Sequence, residues 1–414
     1  MSKLQELINK LCPNGVEFKP LGEVCEIKTG KGITKNDATG GGNYPIISGG
    51  QTPMGYYHEY NRGPKTVTIS RVGAYAGFVS FIEEPFYLND KCFSIIPIND
   101  FQTLINSRFL FHHLKNKEET IKNLQSEGGV PTINTKKVGS IMIPVPPIEV
   151  QEEIVRILDS FSDYAAELQA ELQARKQQYE YYRNLLLTFN PSAYGCGTDD
   201  EQKDGVTTWG GHNYKIEWKK MGDVFEMRNG YTPSKNNSEF WVGGTIPWFR
   251  MDDIRENGRI LSDSIQHITP SAIKGKGLFE ANSFILATTA TIGEHALIIT
   301  DSLANQRFTN LKVRKSLSNL LVTKFIYYYM FIVDDFCKKN TNVSGFASVD
   351  MDKLKRMPFP IPPLELQEKI VAILDRFETL VNDLTNGLPA EIAAVKDQYE
   401  YYRNKLLTFK KLTA

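Results

Sequence analysis

The sequence predicts an α/β protein with a pseudo-twofold internal repeat, in which two similar α/β domains are separated by two long antiparallel coiled-coil helices. Three observations predict this fold. A stretch beginning at Ile143 returns at Phe359, a seven-residue segment at Gln178 returns unchanged at Gln398, and each repeat ends in a long heptad pattern. A period of about half the chain indicates two like units, because solenoid repeats are only about 20–50 residues long.

The repeat divides the chain into five segments, which are a first mixed domain at 1–147, a first helix at 148–189, a Gly-rich acidic linker at 190–213, a second mixed domain at 214–363 and a second helix at 364–414. The mixed domains share their opening segment and a short apolar helix, predicted at Phe109–Leu114 and Phe325–Met330. Strands are predicted at Lys65–Ser70 and Phe284–Thr289. The sequences between these anchors diverge, which predicts a shared frame with different loops, where specificity usually resides.

Both helical segments carry apolar residues that alternate steps of four and three, as in a coiled-coil seam. The first seam contains Ile154, Leu158, Phe161, Ala165, Leu168, Leu172, Arg175, Tyr179, Tyr182 and Leu186. The second contains Ile370, Leu374, Phe377, Val381, Leu384, Leu388, Ile392, Val395, Tyr399, Tyr402 and Leu406. Two successive steps of four at 384–392, beside Gly387 and Pro389, predict a kink there. Prolines 146–147 and 362–363 are expected at the helix entrances.

Bulk properties set limits on the class of protein. The formal net charge is zero, with +3 in 1–147, −4 in 148–189, +2 in 190–363 and −1 in 364–414. Mildly basic domains permit local basic surfaces, although much of any attraction for phosphate would come from a partner. The five scattered cysteines predict a reducing, cytoplasmic environment. We expect neither a signal peptide nor a membrane span.

A search for catalytic motifs predicts no enzyme. The P-loop pattern is absent, and Thr29–Gly32 is too short to replace it. The Asp/Asn-Pro-Pro-aromatic motif of amino-methyltransferases is absent, and the six histidines lack metal-ligand spacing. Acidic pairs such as Glu83–Glu84 are more typical of solvated turns than of a nuclease site.

The loops of both domains are rich in groups that bind base edges and phosphates. Arg and Lys pair with guanine, Asn and Gln pair with adenine, and Ser and Lys hold phosphates. The DNA-binding candidates are Lys28, Lys31, Lys35, Asn36, Ser48, Gln51, Ser70, Arg71 and Lys91 in the first domain. In the second they are Arg228, Asn229, Tyr231, Lys235, Asn236, Arg250, Asn305, Gln306 and Arg307. Each could instead be an ordinary solvated loop residue, and Arg71 and Arg307 are the favoured candidates.

Two duplicated motifs resemble the specificity subunit of Type I restriction–modification systems. One is Pro-x-Pro-Pro-x-x-x-Gln-x-x-Ile, which precedes a long helix at Pro144 and again at Pro360. The other is Glu-Phe/Trp-Lys-x-x-Gly-Glu/Asp-Val, at Glu17 and Glu217. A single Pro-Pro-helix would be weak evidence, but the doubled arrangement extends the resemblance from about Val16 to Phe409.

The resemblance implies a non-catalytic subunit in which each mixed domain is a target recognition domain for one half of a gapped double-stranded DNA sequence. The helices would set the gap and bind two modification subunits, which use S-adenosylmethionine to methylate adenine. Restriction subunits that use ATP and magnesium are a further implied partner, whereas a membrane is not. The implied subunit-binding residues are Pro147, Gln151, Ile154, Tyr179, Tyr182, Arg183, Pro363, Gln367, Ile370, Tyr399, Tyr402 and Arg403.

Two alternatives stay open from the residues alone. A coiled-coil adaptor that pairs partner subunits without binding DNA would show no salt-dependent duplex binding. A self-sufficient enzyme would need the catalytic motifs that the search did not find. Because the loops of the two domains differ, we also expect two different half-sites.

Overall fold

The computed structural model describes residues 3–34, 38, 42–126, 129–189, 206–275, 277–342, 347–383 and 385–412. The chain forms two compact units. The first unit comprises Met1–Glu171 with Ala390–Ala414, and the second comprises Leu172–Pro389. Each unit therefore contains one mixed domain together with helical residues from both repeats.

The first mixed domain contains, in chain order, α1 (Lys3–Leu11), β1 (Phe18–Pro20), α2 (Leu21–Val24), β2 (Cys25–Thr29), β3 (Tyr44–Ile47), β4 (Tyr56–Tyr57), β5 (Thr66–Ser70), β6 (Val79–Ile82), β7 (Tyr87–Leu88), β8 (Cys92–Pro97), a 3₁₀ turn (Asn99–Phe101), α3 (Ser107–Asn116), α4 (Glu118–Lys122), α5 (Thr135–Gly139) and β9 (Met142–Pro144). Helix α6 (Ile148–Thr188) follows and contributes residues to both units. The predicted linker begins beyond α6, and its residues 190–205 lie outside the described residues.

The second mixed domain contains β10 (Val206–Trp209), β11 (His212–Lys215), β12 (Glu217–Lys220), α7 (Met221–Val224), β13 (Phe225–Asn229), a 3₁₀ turn (Ser238–Phe240), β14 (Ile246–Phe249), α8 (Met251–Asn257), β15 (Ile260–Leu261), β16 (His267–Ile268), a 3₁₀ turn (Pro270–Ala272), β17 (Ser283–Ala287), β18 (His295–Ile298), β19 (Leu303–Ala304), β20 (Phe308–Val313), a 3₁₀ turn (Lys315–Leu317), α9 (Thr323–Lys339), β21 (Thr341–Asn342), β22 (Ser348–Val349), α10 (Met351–Arg356) and β23 (Pro358–Ile361). Helices α11 (Leu364–Asn382) and α12 (Leu388–Leu406) complete the chain. The end of the predicted linker is therefore the β10–β11 hairpin.

The two domains share one sheet topology. The order β2-β8-β5-β6 in the first corresponds to β13-β20-β17-β18 in the second, where β15 adds a fifth strand parallel to β18. A smaller sheet, β4-β3-β7 or β16-β14-β19, lies in each domain, and β1–β9 and β12–β23 form matching antiparallel pairs. The α/β fold with two similar domains is thus confirmed.

The central strands β5 and β17 are buried at all five positions. Both strands were predicted as β-rich stretches among Gly- and Asn-rich turns, and their burial at every position shows that each is covered on both faces. Helices α3 and α9 pack on these sheets and include the two predicted apolar helices. Leu110 and Leu114 of α3 join the strand residues in the hydrophobic core of the first domain. The apolar residues of α9, from Phe325 to Met330, are buried, and the strands of the second domain form a separate core cluster.

The heptad seams predicted from the sequence are largely the buried faces of the helices. In the first unit, Phe161 of α6 stacks on Tyr402 of α12 at 5.4 Å between ring centroids, and the Tyr164 hydroxyl donates to Glu391 at 2.6 Å. The contacted residue on α12 falls from Tyr402 to Glu391 as the residue on α6 rises from Phe161 to Tyr164. These two segments therefore run antiparallel. In the second unit, Tyr179 of α6 stacks on Phe377 of α11 at 6.3 Å.

The second helical segment is interrupted rather than merely kinked. Helix α11 ends at Asn382 and α12 begins at Leu388. The Asp383 carboxylate accepts hydrogen bonds from the backbone amides of Thr385 and Asn386, a local arrangement that competes with helix. The predicted discontinuity is present, whereas α6 has none within 148–188.

The four described cysteines, at positions 12, 25, 92 and 337, are free and buried. Within the described parts of the chain, no helix is both long and apolar enough to cross a membrane.

Candidate nucleic-acid interface

In the first unit, three strands place their loop-bearing ends side by side. Strand β2 ends at Thr29 and β5 ends at Ser70, while the antiparallel strand between them, β8, begins at Cys92. The register pairs Thr29 with Phe93 and Ser70 with Cys92. We call the surface formed by residues 30–34, 48–54, 71–77 and 89–91 the first loop edge.

Backbone hydrogen bonds bring the candidate DNA-binding residues together at this edge. The Lys31 amide donates to the Leu88 carbonyl at 3.0 Å, and the Arg71 amide donates to the Lys91 carbonyl at 2.8 Å. The Cys92 thiol donates to the Ser48 carbonyl at 2.9 Å, which anchors the loop that carries Gln51. Positions far apart in sequence therefore share one surface.

The candidates at the first loop edge differ in exposure. Lys31, Gln51 and Lys91 are exposed, and Lys91 borders a surface cavity of about 460 Å³. Arg71 is half-buried, because its guanidinium donates to the Asp90 carbonyl at 3.1 Å and lies over the Phe93 ring.

Three other candidates are placed differently. Ser70 and Ser48 are buried, and Lys28 lies in β2, where it pairs with Glu26 at 2.6 Å. Lys35 and Asn36 lie outside the described residues.

The second unit has the corresponding edge. Strand β13 ends at Asn229, β17 ends at Ala287 and β20 begins at Phe308, with Asn229 paired to Thr309 and Ala287 paired to Phe308. We call the surface formed by residues 230–236, 250, 288–293 and 305–307 the second loop edge. It holds the remaining candidates apart from Arg228 and Asn229, which belong to β13 itself.

The exposed candidates at the second loop edge are Lys235, Asn236, Gln306 and Arg307. Other candidates have partners within the unit. The Tyr231 hydroxyl donates to the Ala272 carbonyl at 3.0 Å and accepts from the Lys274 amide at 2.8 Å. The exposed Asn229 side chain accepts from the Thr309 hydroxyl at 2.9 Å.

Two arginines among the candidates brace the second unit. The Arg228 guanidinium donates to the Leu278 carbonyl at 2.6 Å and lies 4.6 Å from the Phe279 ring centroid, and burial lowers its pKa. Arg250 is half-buried at the start of α8, where its backbone amide donates to the Asp253 carboxylate at 2.6 Å and its guanidinium lies 3.8 Å from the Asp252 carboxylate. Their side chains therefore have structural contacts whether or not they also contact DNA.

The two loop edges share one backbone frame. Gly30 and Gly230 donate to the carbonyls of Cys92 and Phe308 at 3.4 and 2.8 Å, and the residues that follow them donate to Leu88 and Ala304 at 3.0 and 2.9 Å. A Cβ atom would lie 1.9 Å from the Leu88 oxygen at Gly30 and 2.3 Å from the Ala304 oxygen at Gly230. Glycine is therefore required at both positions, while the side chains around them differ.

Four of the candidate subunit-binding residues are buried at the starts of helices α6 and α11. The Gln151 amide group donates to the carbonyls of Leu104 and Pro146, both at 2.7 Å, and accepts from the Asn106 amide at 2.9 Å. Gln367 makes the same three bonds, to Leu320, Pro362 and Val322, at 2.8, 2.7 and 2.8 Å. Both glutamines and the nearby Ile154 and Ile370 are fully buried. Pro147 is half-buried and Pro363 is exposed.

The identical segments 178–184 and 398–404 pack alike in their units. Arg183 lies over the Tyr179 ring at 5.3 Å and over Phe331 at 4.0 Å. Arg403 lies over the Tyr399 ring at 5.2 Å and donates to Asn116 at 3.2 Å.

The tyrosines at the centre of these segments are more exposed. Tyr182 and Tyr402 are 38% and 39% exposed and stack on Phe377 and Phe161. Tyr181 and Tyr401 are 64% and 59% exposed. These last two were not named individually, although the repeated segments that contain them were candidates for subunit contact.

No metal centre accompanies these surfaces in the described ranges, where no group of three or more His, Cys, Asp and Glu side chains is placed to hold an ion. The surfaces offer hydrogen-bond donors, acceptors and positive charge, which are the groups that bind nucleic acid. They do not bring together a nucleophile, a base and a third orienting group.

Comparisons with known proteins agree with this arrangement. The family model described as "Type I restriction modification DNA specificity domain" matches residues 13–175 and 214–394. The Escherichia coli EcoR124I/EcoR124II specificity subunit is 31% identical over 433 residues, covering 99% of this chain and 98% of that protein. The E. coli EcoprrI specificity subunit is 52% identical over 203 residues, 47% of this chain and 51% of that protein, so this match spans about half of each.

Solved structures show the same fold. The S subunit of a type I restriction–modification system from M. genitalium aligns over 99% of both chains, with a TM-score of 0.54 and 14% identity. A chain from a study of complex assembly of the type I R-M system aligns over 96% of this chain and 98% of its own, with a TM-score of 0.61 and 19% identity. With the family model matched in both halves, the chain belongs to the specificity subunits of type I restriction–modification systems, the non-catalytic DNA-recognition component.

Proposed function

We propose that this chain recognises a bipartite, gapped double-stranded DNA target, with one half-site bound at each loop edge. The observation that carries the proposal is the duplicated frame. The same backbone hydrogen bonds shape both edges around Gly30 and Gly230, while the exposed side chains on them differ. An identical frame with different donors and acceptors is what two related but unequal half-sites require.

The exposed residues at the edges are the proposed DNA contacts, and Lys35 and Asn36 remain among them. The described ones are Lys31, Gln51 and Lys91 in the first unit and Lys235, Asn236, Gln306 and Arg307 in the second. Arg71, Tyr231 and Asn305 are half-buried, and in this proposal the exposed part of each side chain contacts DNA. Lys28, Ser48, Ser70, Arg228, Asn229 and Arg250 support the edges in this proposal. The chain has no net charge, so partner subunits supply part of the attraction for the DNA backbone.

The duplicated segments 178–184 and 398–404 are proposed to bind two modification subunits, one at each copy. Packing within the units explains why the inward-facing tyrosines and arginines are the same in both segments. It does not explain why tyrosine also stands at both 181 and 401, since these two side chains are mostly exposed. Large exposed aromatic residues are typical of binding hot spots. Tyr182, Tyr402, Pro147 and Pro363 offer further accessible surface beside them, whereas Gln151, Gln367, Ile154 and Ile370 position the helices from within.

The partners supply the chemistry in this proposal. The modification subunits carry S-adenosylmethionine and methylate adenine, and restriction subunits that use ATP and magnesium join when a system contains them. The complex acts in the cytoplasm, where its DNA target lies. A coiled-coil adaptor without DNA recognition is not favoured, since the family match extends over both mixed domains.

The proposal is tested by sequencing the methylome of a host that carries this chain with its neighbouring modification subunit, against the same host without this chain. A gapped adenine-methylation motif should appear only when the chain is present, and the two halves of the motif should differ. Absence of any gapped motif, with both proteins expressed and co-purifying, would refute DNA recognition and leave the adaptor.

Subunit docking is tested separately by native mass spectrometry of the purified complex. Tyr181→Ala and Tyr401→Ala should each reduce the complex from two modification subunits to one, and the double variant should retain none. Tyr60→Ala, which removes a tyrosine of similar exposure outside the duplicated segments, should retain both. Two bound subunits in the double variant would refute this docking surface.

A further inference from the structure

A three-residue turn recurs at the two loop edges. It spans Asn89–Lys91 between β7 and β8 and Asn305–Arg307 between β19 and β20. In both copies the asparagine Oδ1 accepts a hydrogen bond from the backbone amide two residues later, at 3.0 Å from Lys91 and 2.9 Å from Arg307. Such an Asx turn fixes the direction in which the third residue leaves the backbone.

The same turn is locked to its sheet from both sides. The amides of Asn89 and Asn305 donate to the last carbonyls of β3 and β14, at 2.9 and 3.0 Å. Their carbonyls accept from the first amides of β8 and β20, both at 3.1 Å. All of these bonds use the backbone or the asparagine, so the second and third residues of the turn can change without altering its position.

Those two residues differ between the units and face solvent. The first unit presents Asp90 and Lys91, a carboxylate and an ammonium, and the second presents Gln306 and Arg307, a carboxamide and a guanidinium. The Thr232 hydroxyl donates to the Gln306 side-chain oxygen and so orients its amide. Each pair of groups matches a different set of base edges, because Asp accepts from the cytosine amino group, Gln pairs with adenine, and Lys and Arg donate to guanine.

We propose that this turn is a specificity-determining element at which each unit reads adjacent bases of its half-site. The second and third residues of the turn set which bases are preferred. Asp90 and Lys91 select cytosine and guanine at adjacent positions, and Gln306 and Arg307 select adenine and guanine. The inference rests on the proposed function, since it requires that the loop edges face DNA. Beyond that function, the inference names the side chains that discriminate between bases and the bases that each side chain accepts.

The test is an exchange of the turn residues in the full chain, co-expressed with its modification subunit. Asp90→Gln with Lys91→Arg gives the first unit the turn of the second, and Gln306→Asp with Arg307→Lys makes the reverse exchange. The methylome motif and competitive duplex binding over a range of salt concentrations are measured for each. Glu6→Gln with Lys10→Arg on α1 makes the same changes of side-chain type at exposed positions away from the turn.

Each exchange should change the preferred base at one or two adjacent positions of one half-site, by about tenfold or more in competition. The other half-site, and the motif of the α1 control, should stay as in the unaltered chain. An unchanged motif with unchanged affinity would overturn the proposal. So would a change of affinity that is equal on all sequences and leaves the motif unaltered, which marks a phosphate contact. Failure of the unaltered chain to produce any gapped motif would instead remove the proposed function itself.

Discussion

Replacing Gln151 by alanine tests whether one buried amide group fixes the first mixed domain to helix α6. The change removes three hydrogen bonds and leaves the Asn106 amide and the carbonyls of Leu104 and Pro146 without that partner. Each bond contributes about 1 kcal/mol net, so the free energy of unfolding of the first unit should fall by about 3 kcal/mol. At about 1.4 kcal/mol for each factor of ten, its best-protected amides should exchange about 100-fold faster.

Hydrogen exchange followed by mass spectrometry suits this prediction, because peptides from each unit are resolved separately. Gln367→Ala should produce the same acceleration confined to the second unit, since its three bonds have nearly the same lengths. Glu152→Ala and Glu368→Ala alter the exposed neighbours and should change exchange by less than about threefold. An acceleration of less than about threefold in Gln151→Ala would show that the bonds do not stabilise the junction, which would refute the reasoning.

Three further predictions concern acid stability, the gap and the half-sites. Burial, assisted by Lys117, lowers the pKa of His113 to about 4 from the ordinary 6.5. Between these two pH values the imidazole binds a proton in the unfolded chain but not in the folded one, so about 3 kcal/mol of stability should be lost as the pH falls from 6.5 to 4. Urea denaturation across that range should show the loss in the unaltered chain and a smaller one in His113→Leu. Inserting four residues near Leu172 adds about 6 Å of helix, so the methylation motif should gain about two base pairs of gap or vanish, and an unchanged gap would contradict the spacer. Exchanging residues 16–147 for those of a relative should alter one half of the motif, and changes in both halves would count against independent reading.

Periodicity allowed the helices and central strands to be predicted because it is a local property. The seam positions of α6 and the four consecutive apolar residues of strand β17 are visible in any short window of sequence. The amphipathic helix α1 was not predicted, although Leu4, Leu7, Ile8 and Leu11 have helical spacing. It has no counterpart in the second repeat, where the β10–β11 hairpin precedes β12. Its apolar face packs into the cluster that contains the ends of α6 and α12.

The candidate surfaces were less predictable because they depend on partners distant in sequence. Residue type suggested Arg228 as a DNA contact, yet its guanidinium meets the Leu278 carbonyl, 50 residues away. The family resemblance placed Gln151 among the subunit-binding residues, yet its amide group donates to the Leu104 carbonyl, 47 residues away. The equivalence of Asn89 and Asn305 also needed the strand register, since the surrounding loops share little sequence.

The pairing of repeats within the units accounts for the buried and half-buried residues that segments 178–184 and 398–404 share, but not for the exposed Tyr181 and Tyr401. The second copy packs in the first unit, where Tyr399 meets His112 and Arg403 meets Asn116, and the first copy packs in the second unit, where Arg183 meets Phe331. The phenylalanines beyond each copy follow the same rule, with Phe409 against Phe109 and Phe189 against Phe325.

Each copy of the repeated segment must therefore fit the mixed domain of the other repeat, which it contacts at helix α3 or α9. The loop edges, in contrast, lie at the ends of strands. This separation gives the two surfaces different constraints. In the proposed function, a change at a loop edge alters which bases are accepted without changing the helical contacts, whereas a change in either copy alters its packing against the domain of the other repeat. The loops are consequently free to diverge between the halves, whereas the packed residues of segments 178–184 and 398–404 are not.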